Sequence, residues 1–279
     1  MIWQTTRHRL DLTQARVMGI VNLTPDSFSD GGVHGGARAA LAHCERLLGE
    51  GADILDIGGE STRPNAEPVP LDEELERVLP VLREAVRFGC PISVDTYKPQ
   101  VMRAALDLGV DIVNDIKALR APGALDVVAA HPGCGVCLMH MLGDEPRTMQ
   151  EGDPEYDDVV LAVRGFLGER LERLRERGVC DERIVLDPGI GFGKRSEHNL
   201  ALLARQAELL SLGRPLLAGW SRKGTLGRLI GREPVAERLV ASVAAALAAL
   251  RSGASIVRVH DVQATVDAIK VWRAVGLLA

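Results

Sequence analysis

The feature that most constrains this chain is an alternation. Short apolar runs recur through its 279 residues, separated by segments whose apolar residues return every three or four positions. The runs are Val17–Val21, Ile54–Ile57, Pro91–Val94, Asp111–Val113, Val136–Met139, Ile184–Leu186, Pro215–Ala218 and Ser255–Val259. Several follow a glycine (Gly51, Gly109, Gly178, Gly253), the residue that ends a helix before a strand begins. Between them, Ala37–Glu50, Leu71–Arg87, Lys98–Leu108, Tyr156–Arg177, Asn199–Leu210 and Val235–Ser252 carry the helix period. Strands apolar on both faces belong to a parallel sheet covered by helices. Eight βα units in roughly 250 residues is the number that closes into a (β/α)8 barrel, the TIM-barrel form of the α/β class. A doubly wound open sheet is the second reading, because periodicity alone does not prove closure. Residues 1–16 read as a short extended lid or hairpin before the first core strand. No linker divides the chain, so 1–279 is expected to be one domain.

In a barrel of this kind the C-terminal strand ends converge on one site. Here those ends carry Asn22, Gly58 to Pro64, Asp95, Asn114, His140, Asp187, Trp220 to Lys223 and Arg258 to Asp261. One Asp or Asn after a strand is ordinarily the cap of the next helix. A polar group after nearly every strand points instead to a convergent site. Asp95, Asn114 and Asp187 should face the mouth, and buried carboxylates need donors. A flat heterocycle with several N–H groups along one edge would supply them. Lys223, Arg258 and His260 come from the last two strands, where barrels often bind phosphate. Asn22 offers an amide oxygen suited to Mg²⁺, an ion usually held by few protein groups and by substrate phosphates.

Composition excludes several alternatives. The net charge is −5 and the basic residues are scattered, which is not a nucleic-acid footprint. MIWQTTRHRLDL lacks the apolar stretch of a signal peptide, and Leu239 to Leu250 is too short to span a bilayer, so a cytoplasmic protein is expected. The five cysteines are read as reduced and buried. Cys134 and Cys137 form a lone CxxC with no second pair at zinc spacing. His8, His34, His43, His131 and His198 are read as surface residues. Trp220 is read as a wall or packing residue, Met18 and Met141 as packing, His140 equally as a hydrogen-bonded support or a ligand, and Lys194 as a residue that positions its loop.

At the strand ends the chain resembles the dihydropteroate synthases over essentially its whole length. The motifs are MGIVNLTPDSFSDGG (18–32), GADILDIGGESTRP (51–64), SVDTYKP (93–99), VNDI (113–116), LMHM (138–141), LDPGIGFGK (186–194), WSRKG (220–224) and RVHDV (258–262). LDPGIGFGK is not a P-loop, since the spacing and the following Ser/Thr are missing. The resemblance implies condensation of 6-hydroxymethyl-7,8-dihydropterin diphosphate with p-aminobenzoate. In it, Asp95, Asn114, Ile116, Met139, Asp187 and Lys223 would hold the pterin. Ser61, Thr62, Arg63, Phe192 and Ser221 would surround p-aminobenzoate. Asn22, Arg258 and His260 would bind the diphosphate, with Mg²⁺ on Asn22, and Asp95, Asp187, Lys223, Arg258 and His260 would carry the catalysis. The loops at 24–32 and 60–70 would close over the site. The resemblance also implies sulfonamide competition and a homodimer, with small-molecule substrates and neither nucleic acid nor membrane as partners. Two other classes compete. A corrinoid-dependent methyltransferase would need neither the NLTPDSFSDGG loop, nor the SRK, nor the Arg258–His260 pair, and a non-catalytic pterin binder would be expected to lose the closing-loop residues or Lys223.

Overall fold

The computed structural model describes residues 1–23, 32–61, 67–145 and 153–278, without the side chains of 32–35. Its first two strands, β1 (Ile2–Gln4) and β2 (Arg9–Asp11), pair antiparallel as a hairpin. Eight parallel strands follow: β3 (Arg16–Asn22), β4 (Ile54–Gly58), β5 (Ile92–Asp95), β6 (Ile112–Asp115), β7 (Gly135–Met139), β8 (Ile184–Asp187), β9 (Leu217–Ala218) and β10 (Ile256–Val259). Neighbours run β8-β7-β6-β5-β4-β3-β10-β9, and a parallel bridge between Leu186 and Leu216 joins the two ends. The ring is therefore closed, which removes the open-sheet reading.

The helices are α1 (Gly32–Gly49), α2 (Leu71–Ala85), α3 (Pro99–Asp107), α4 (Ala124–Ala130), α5 (Val159–Glu176), α6 (Ser196–Ala204), α7 (Gly224–Ile230), α8 (Leu239–Arg251) and α9 (Val262–Ala274). Local chemistry accounts for their starts. Pro99 opens α3 at its first turn, where a missing N–H costs nothing. Asp158 caps α5 by accepting from the Val160 and Leu161 amides at 2.9 and 3.1 Å. The helices differ from the sequence expectation in three places. The expected Asn199–Leu210 helix ends at Ala204 and continues as a 3₁₀ turn over Gln206–Leu212. Helices α4 and α7 span seven residues each, too few for a 3.6-residue period to register. Helix α9 buries Val262, Thr265 and Ile269 but exposes Val271, which blurs its stripe.

Period two along the strands builds two cores. Outward residues such as Val17, Val21, Leu55, Ile57, Val94, Val113 and Leu138 pack with the helices in the main core. Inward residues near the strand starts (Met18, Ile54, Ile112, Cys137, Val185, Leu217 and Ile256) form a second apolar cluster with Trp3 and Leu12. The N-terminal hairpin is thus a plug under the barrel floor, opposite the strand ends, and does not cover the mouth. Trp3 is fully buried, and its Nε1 donates to the Arg183 carbonyl at 2.9 Å. Two residues further along four of these strands the interior becomes polar: Ile54 gives way to Asp56, Ile112 to Asn114, Val185 to Asp187 and Ile256 to Arg258, whereas Cys137 is followed by the apolar Met139. A rise of about 3.3 Å per residue puts this polar layer roughly 7 Å above the floor.

The histidines differ from the surface reading. His198 is buried, and its Nδ1 accepts from the Arg195 amide at 3.2 Å. His131 is half-buried and caps the Cys134 amide at 2.9 Å, while His43 accepts from Arg46 at 2.7 Å. A ring nitrogen that caps a nearby backbone or side chain leaves no mark in a sequence. His34 lies among the side chains outside the described set. Cys44, Cys134 and Cys137 are buried free thiols, Cys90 is half-buried, and Cys180 is exposed, which corrects the expectation for that last residue.

Candidate active site

The polar layer is organised around Arg258. Its Nε donates to Asp56 Oδ2 at 2.6 Å and its Nη2 to Asp95 Oδ2 at 2.7 Å, joining β10 to β4 and β5. Asn114 on β6 donates to the same Asp56 oxygen at 3.1 Å. The other Asp56 oxygen, Oδ1, is buried and has no hydrogen-bond partner among the described residues. Asp187 closes β8, accepts from the Gly189 amide at 2.7 Å and is also buried. Burial pushes the Asp95 carboxyl up to about 7, against the pull of Arg258 and with repulsion from Asp56. Burial likewise raises Asp187, opposed by the Gly189 amide, Lys223 and Arg258. For Arg258, burial works against the charge, but Asp56 and Asp95 outweigh it and hold the guanidinium above its ordinary value. Two buried carboxyls, Asp56 and Asp187, and the half-buried Asp95 face one guanidinium and Lys223, so the layer is short of donors.

One wall of this layer is apolar. Ile116, Met139 and Met141 pack together with Tyr97 and Phe192 against them. Ile116 sits on a strained loop: Ala118 and Leu119 both have left-handed backbone, φ 51° and 58°. Asp115 holds this loop by accepting from the Lys117 and Leu119 amides at 2.7 and 2.8 Å, and Arg170 donates to the Ala118 carbonyl at 2.8 Å. Such conformations cost about 1–2 kcal/mol each and persist where the surroundings dictate them.

The other end is built from β9, β10 and β3. Lys223 Nζ lies 4.2 Å from the centre of the Phe192 ring. Ser221 and His260 pair twice, through Oγ to Nδ1 at 3.0 Å and from the His260 amide to Oγ at 3.1 Å. Arg222, left-handed at φ 59°, forms a two-pronged pair with Asp261 at 2.6 and 3.0 Å. A cleft of about 510 Å³ opens beside them, lined by His43, Arg222, His260, Asp261 and Gln263. Asn22 ends β3 half-buried, in register with Gly58, which pairs in turn with Asp95. Among the described residues no cluster of three His, Cys, Asp or Glu could hold a metal. A hard cation here would have the Asn22 amide oxygen and otherwise ligand oxygens, a donor set that suits Mg²⁺ and no softer ion.

A family described as pterin binding enzymes matches residues 18–260. A dihydropteroate synthase of Neisseria meningitidis serogroup B is 53% identical over 99% of this chain and 98% of its own length. The chain belongs to the dihydropteroate synthase family. Among solved structures, the Xanthomonas albilineans dihydropteroate synthase with 4-aminobenzoic acid is 51% identical, with a TM-score of 0.93 and all of both chains covered. The Burkholderia cenocepacia dihydropteroate synthase complexed with 7,8-dihydropteroate is 52% identical, with a TM-score of 0.90, over 98% of this chain and 96% of that one.

Set against this dihydropteroate synthase fold, the residues expected from sequence fall into three groups. Asp95, Asn114 and Arg258 share one hydrogen-bonded network, while Asp187 adjoins it without a direct bond to it among those found. Ile116, Met139 and Phe192 share the apolar wall, Lys223 meets that wall over the Phe192 ring, and Ser221 pairs with His260. Ser61 is half-buried in the segment that follows β4. Thr62, Arg63 and most of the two closing loops lie outside the described residues. Sequence reasoning missed Asp56, although a lone carboxylate inward of Ile54 on an apolar strand was a period-two signal. It also missed a cluster beside β5. Lys98 bridges Glu60 and the buried Glu74, Tyr97 donates to Glu60 at 2.7 Å, and Thr96 donates to Glu74 at 2.7 Å. Glu74 lies on α2, so nothing in its sequence neighbourhood marks it.

Proposed function

We propose that this mouth condenses 6-hydroxymethyl-7,8-dihydropterin diphosphate with p-aminobenzoate, giving 7,8-dihydropteroate and diphosphate on the route to tetrahydrofolate. The observation that carries this reading is the donor deficit of the polar layer, above all the unpartnered Asp56 Oδ1 beside Asp95 and Asn114. A pterin edge presents the row of N–H groups that such a layer lacks. Asp95, Asn114 and Asp187 receive that edge, Ile116 and Met139 flank the ring, and Lys223 lies over it. Ser221 and Phe192, with Ser61, Thr62 and Arg63, form the p-aminobenzoate side. Asn22, Arg258 and His260 face the diphosphate.

The arylamine is a weak nucleophile, so the reading is a dissociative displacement in which the methylene C–O bond breaks ahead of C–N formation. Asp95 and Asp187 favour the pterin cation that develops, by placing carboxylates near its positive charge. Arg258 and His260 hold charge on the departing diphosphate, and the Asn22 amide oxygen would hold Mg²⁺ beside it. When bound, that ion supplies charge neutralisation on the leaving group. The amine proton leaves after the C–N bond has formed, so no strong base is required. An Asp187→Asn variant with near-full turnover would count against this assignment.

The protein works in the cytoplasm as a homodimer on this reading. Among the described residues no helix is long and apolar enough to cross a membrane. Exposed apolar side chains gather at Leu229, Val235, Leu239 and Val240, on α7, α8 and the turn between them, and support pairing through the late helices. Sedimentation should give a dimer that Val240→Glu shifts towards monomer.

The deciding experiment follows diphosphate release from the pterin diphosphate with Mg²⁺, with and without p-aminobenzoate. Amine-dependent release with stoichiometric dihydropteroate, inhibited competitively by a sulfonamide, is expected. Tight pterin binding without product would instead assign a non-catalytic pterin binder.

A further inference from the structure

Lys194 ends the turn after β8 and is only 2% exposed. Its ammonium donates to Gly189 O at 2.8 Å, Phe192 O at 3.0 Å and His140 Nδ1 at 2.8 Å, with His140 O further off at 3.3 Å. None of these partners is a carboxylate. Burying a charge without a direct counterion costs several kcal/mol in effect, and a methionine would fill the same space without that cost. What the ammonium adds is connection, since three N–H groups gather two carbonyls of one turn and the ring at the end of β7. Gly189 comes so close to the β7 end that a Cβ on it would lie 1.8 Å from the His140 carbonyl oxygen. Tyr156 ties the same turn from α5's side by donating to Gly193 O at 2.9 Å, and Asn199 accepts from the Gly191 amide at 2.9 Å. The one large side chain this turn presents to the mouth is Phe192, under Lys223.

We infer that Lys194 is a positioning residue for the amine acceptor: it clamps the Gly189–Gly193 turn to the end of β7 and so fixes the Phe192 ring against which p-aminobenzoate docks. The inference rests on the reaction proposed above. Asp56, Asp95 and Asn114 sit on other strands and do not depend on this clamp; Asp187 touches the turn only at its start, through the Gly189 amide, and Lys223 only over the Phe192 ring, so loss of the clamp should weaken p-aminobenzoate more than the pterin.

The test is steady-state kinetics of Lys194→Met and, as a milder change that leaves the ammonium in place, Tyr156→Phe. For Lys194→Met the KM for p-aminobenzoate should rise about tenfold while the KM for the pterin diphosphate stays within about threefold. Tyr156→Phe should shift the same ratio in the same direction by about two- to threefold. Equal shifts in both KM values, or a fall in kcat alone in a less stable protein, would mean a purely structural residue and overturn the inference. If the wild type releases no diphosphate on adding the amine, the proposed reaction itself fails and the positioning role falls with it. Normal wild-type turnover without a split in the variants refutes only Lys194.

Discussion

Asp56 joins three strands through one carboxylate oxygen and leaves the other unpartnered. Asp56→Asn keeps the shape but removes the charge opposite Arg258, so the guanidinium loses half of its compensation. Breaking a buried charged pair from one side costs at least about 2–3 kcal/mol, so kcat/KM for the pterin diphosphate should drop roughly 30- to 150-fold. A variant within threefold of wild type would reduce Asp56 to packing. Asp95 makes a second prediction, about pH. Burial lifts its carboxyl to about 7 in the free protein, whereas a donor edge requires the ionised form. Protons and ligand therefore compete, and the affinity for the pterin should weaken as pH falls through 7, approaching about tenfold per unit well below it. The KM for the pterin diphosphate between pH 8 and 5.5 checks this, and Asp95→Asn should flatten the profile along with weakening the binding.

At the scale of elements, the turns after the strands carry the site, and their backbones are shaped by contact. Gly189 and Gly178 share the left-handed region, φ 69° and 76°, but only Gly189 meets another chain segment at once. Gly178 has open space around its missing Cβ. Gly178→Ala should therefore lose about 1 kcal/mol, the conformational cost alone. Gly189→Ala must also displace the His140 carbonyl and should lose about 3 kcal/mol or more. Urea unfolding midpoints at unchanged slope decide it, and equal losses would mean that the β8 turn is free to move. The Ala118–Leu119 pair makes the same point, because Asp115 and Arg170 hold two non-glycine residues where glycine is usual.

The whole molecule separates stability from chemistry along the barrel axis. Trp3 and the apolar layer close one end, and the carboxylates and Arg258 open the other. Trp3→Ala empties a fully buried site under the floor and should cost about 3–5 kcal/mol. With the polar layer roughly 7 Å above that floor, KM values at permissive temperature should remain at wild-type levels. Thermal melts and kinetics on one preparation test both halves, and a KM that moved with the plug would show that the floor shapes the mouth.

Much of this was legible beforehand because it depends on local order. Eight apolar runs, the helix-period segments between them and a polar residue at nearly every strand end are properties of neighbours in the chain, and they specify the parallel βα repeat, the end of it that is polar and most of the polar side chains found there. Tertiary structure decided what depends on distant partners. Leu186 meets Leu216 to close the ring, Arg258 reaches Asp56 and Asp95 across roughly two hundred residues of chain, Glu74 meets Lys98, and Lys194 finds His140. A sequence records which groups are charged or apolar. Which of them lose water together, and therefore which must pair, is settled only when the strands come side by side.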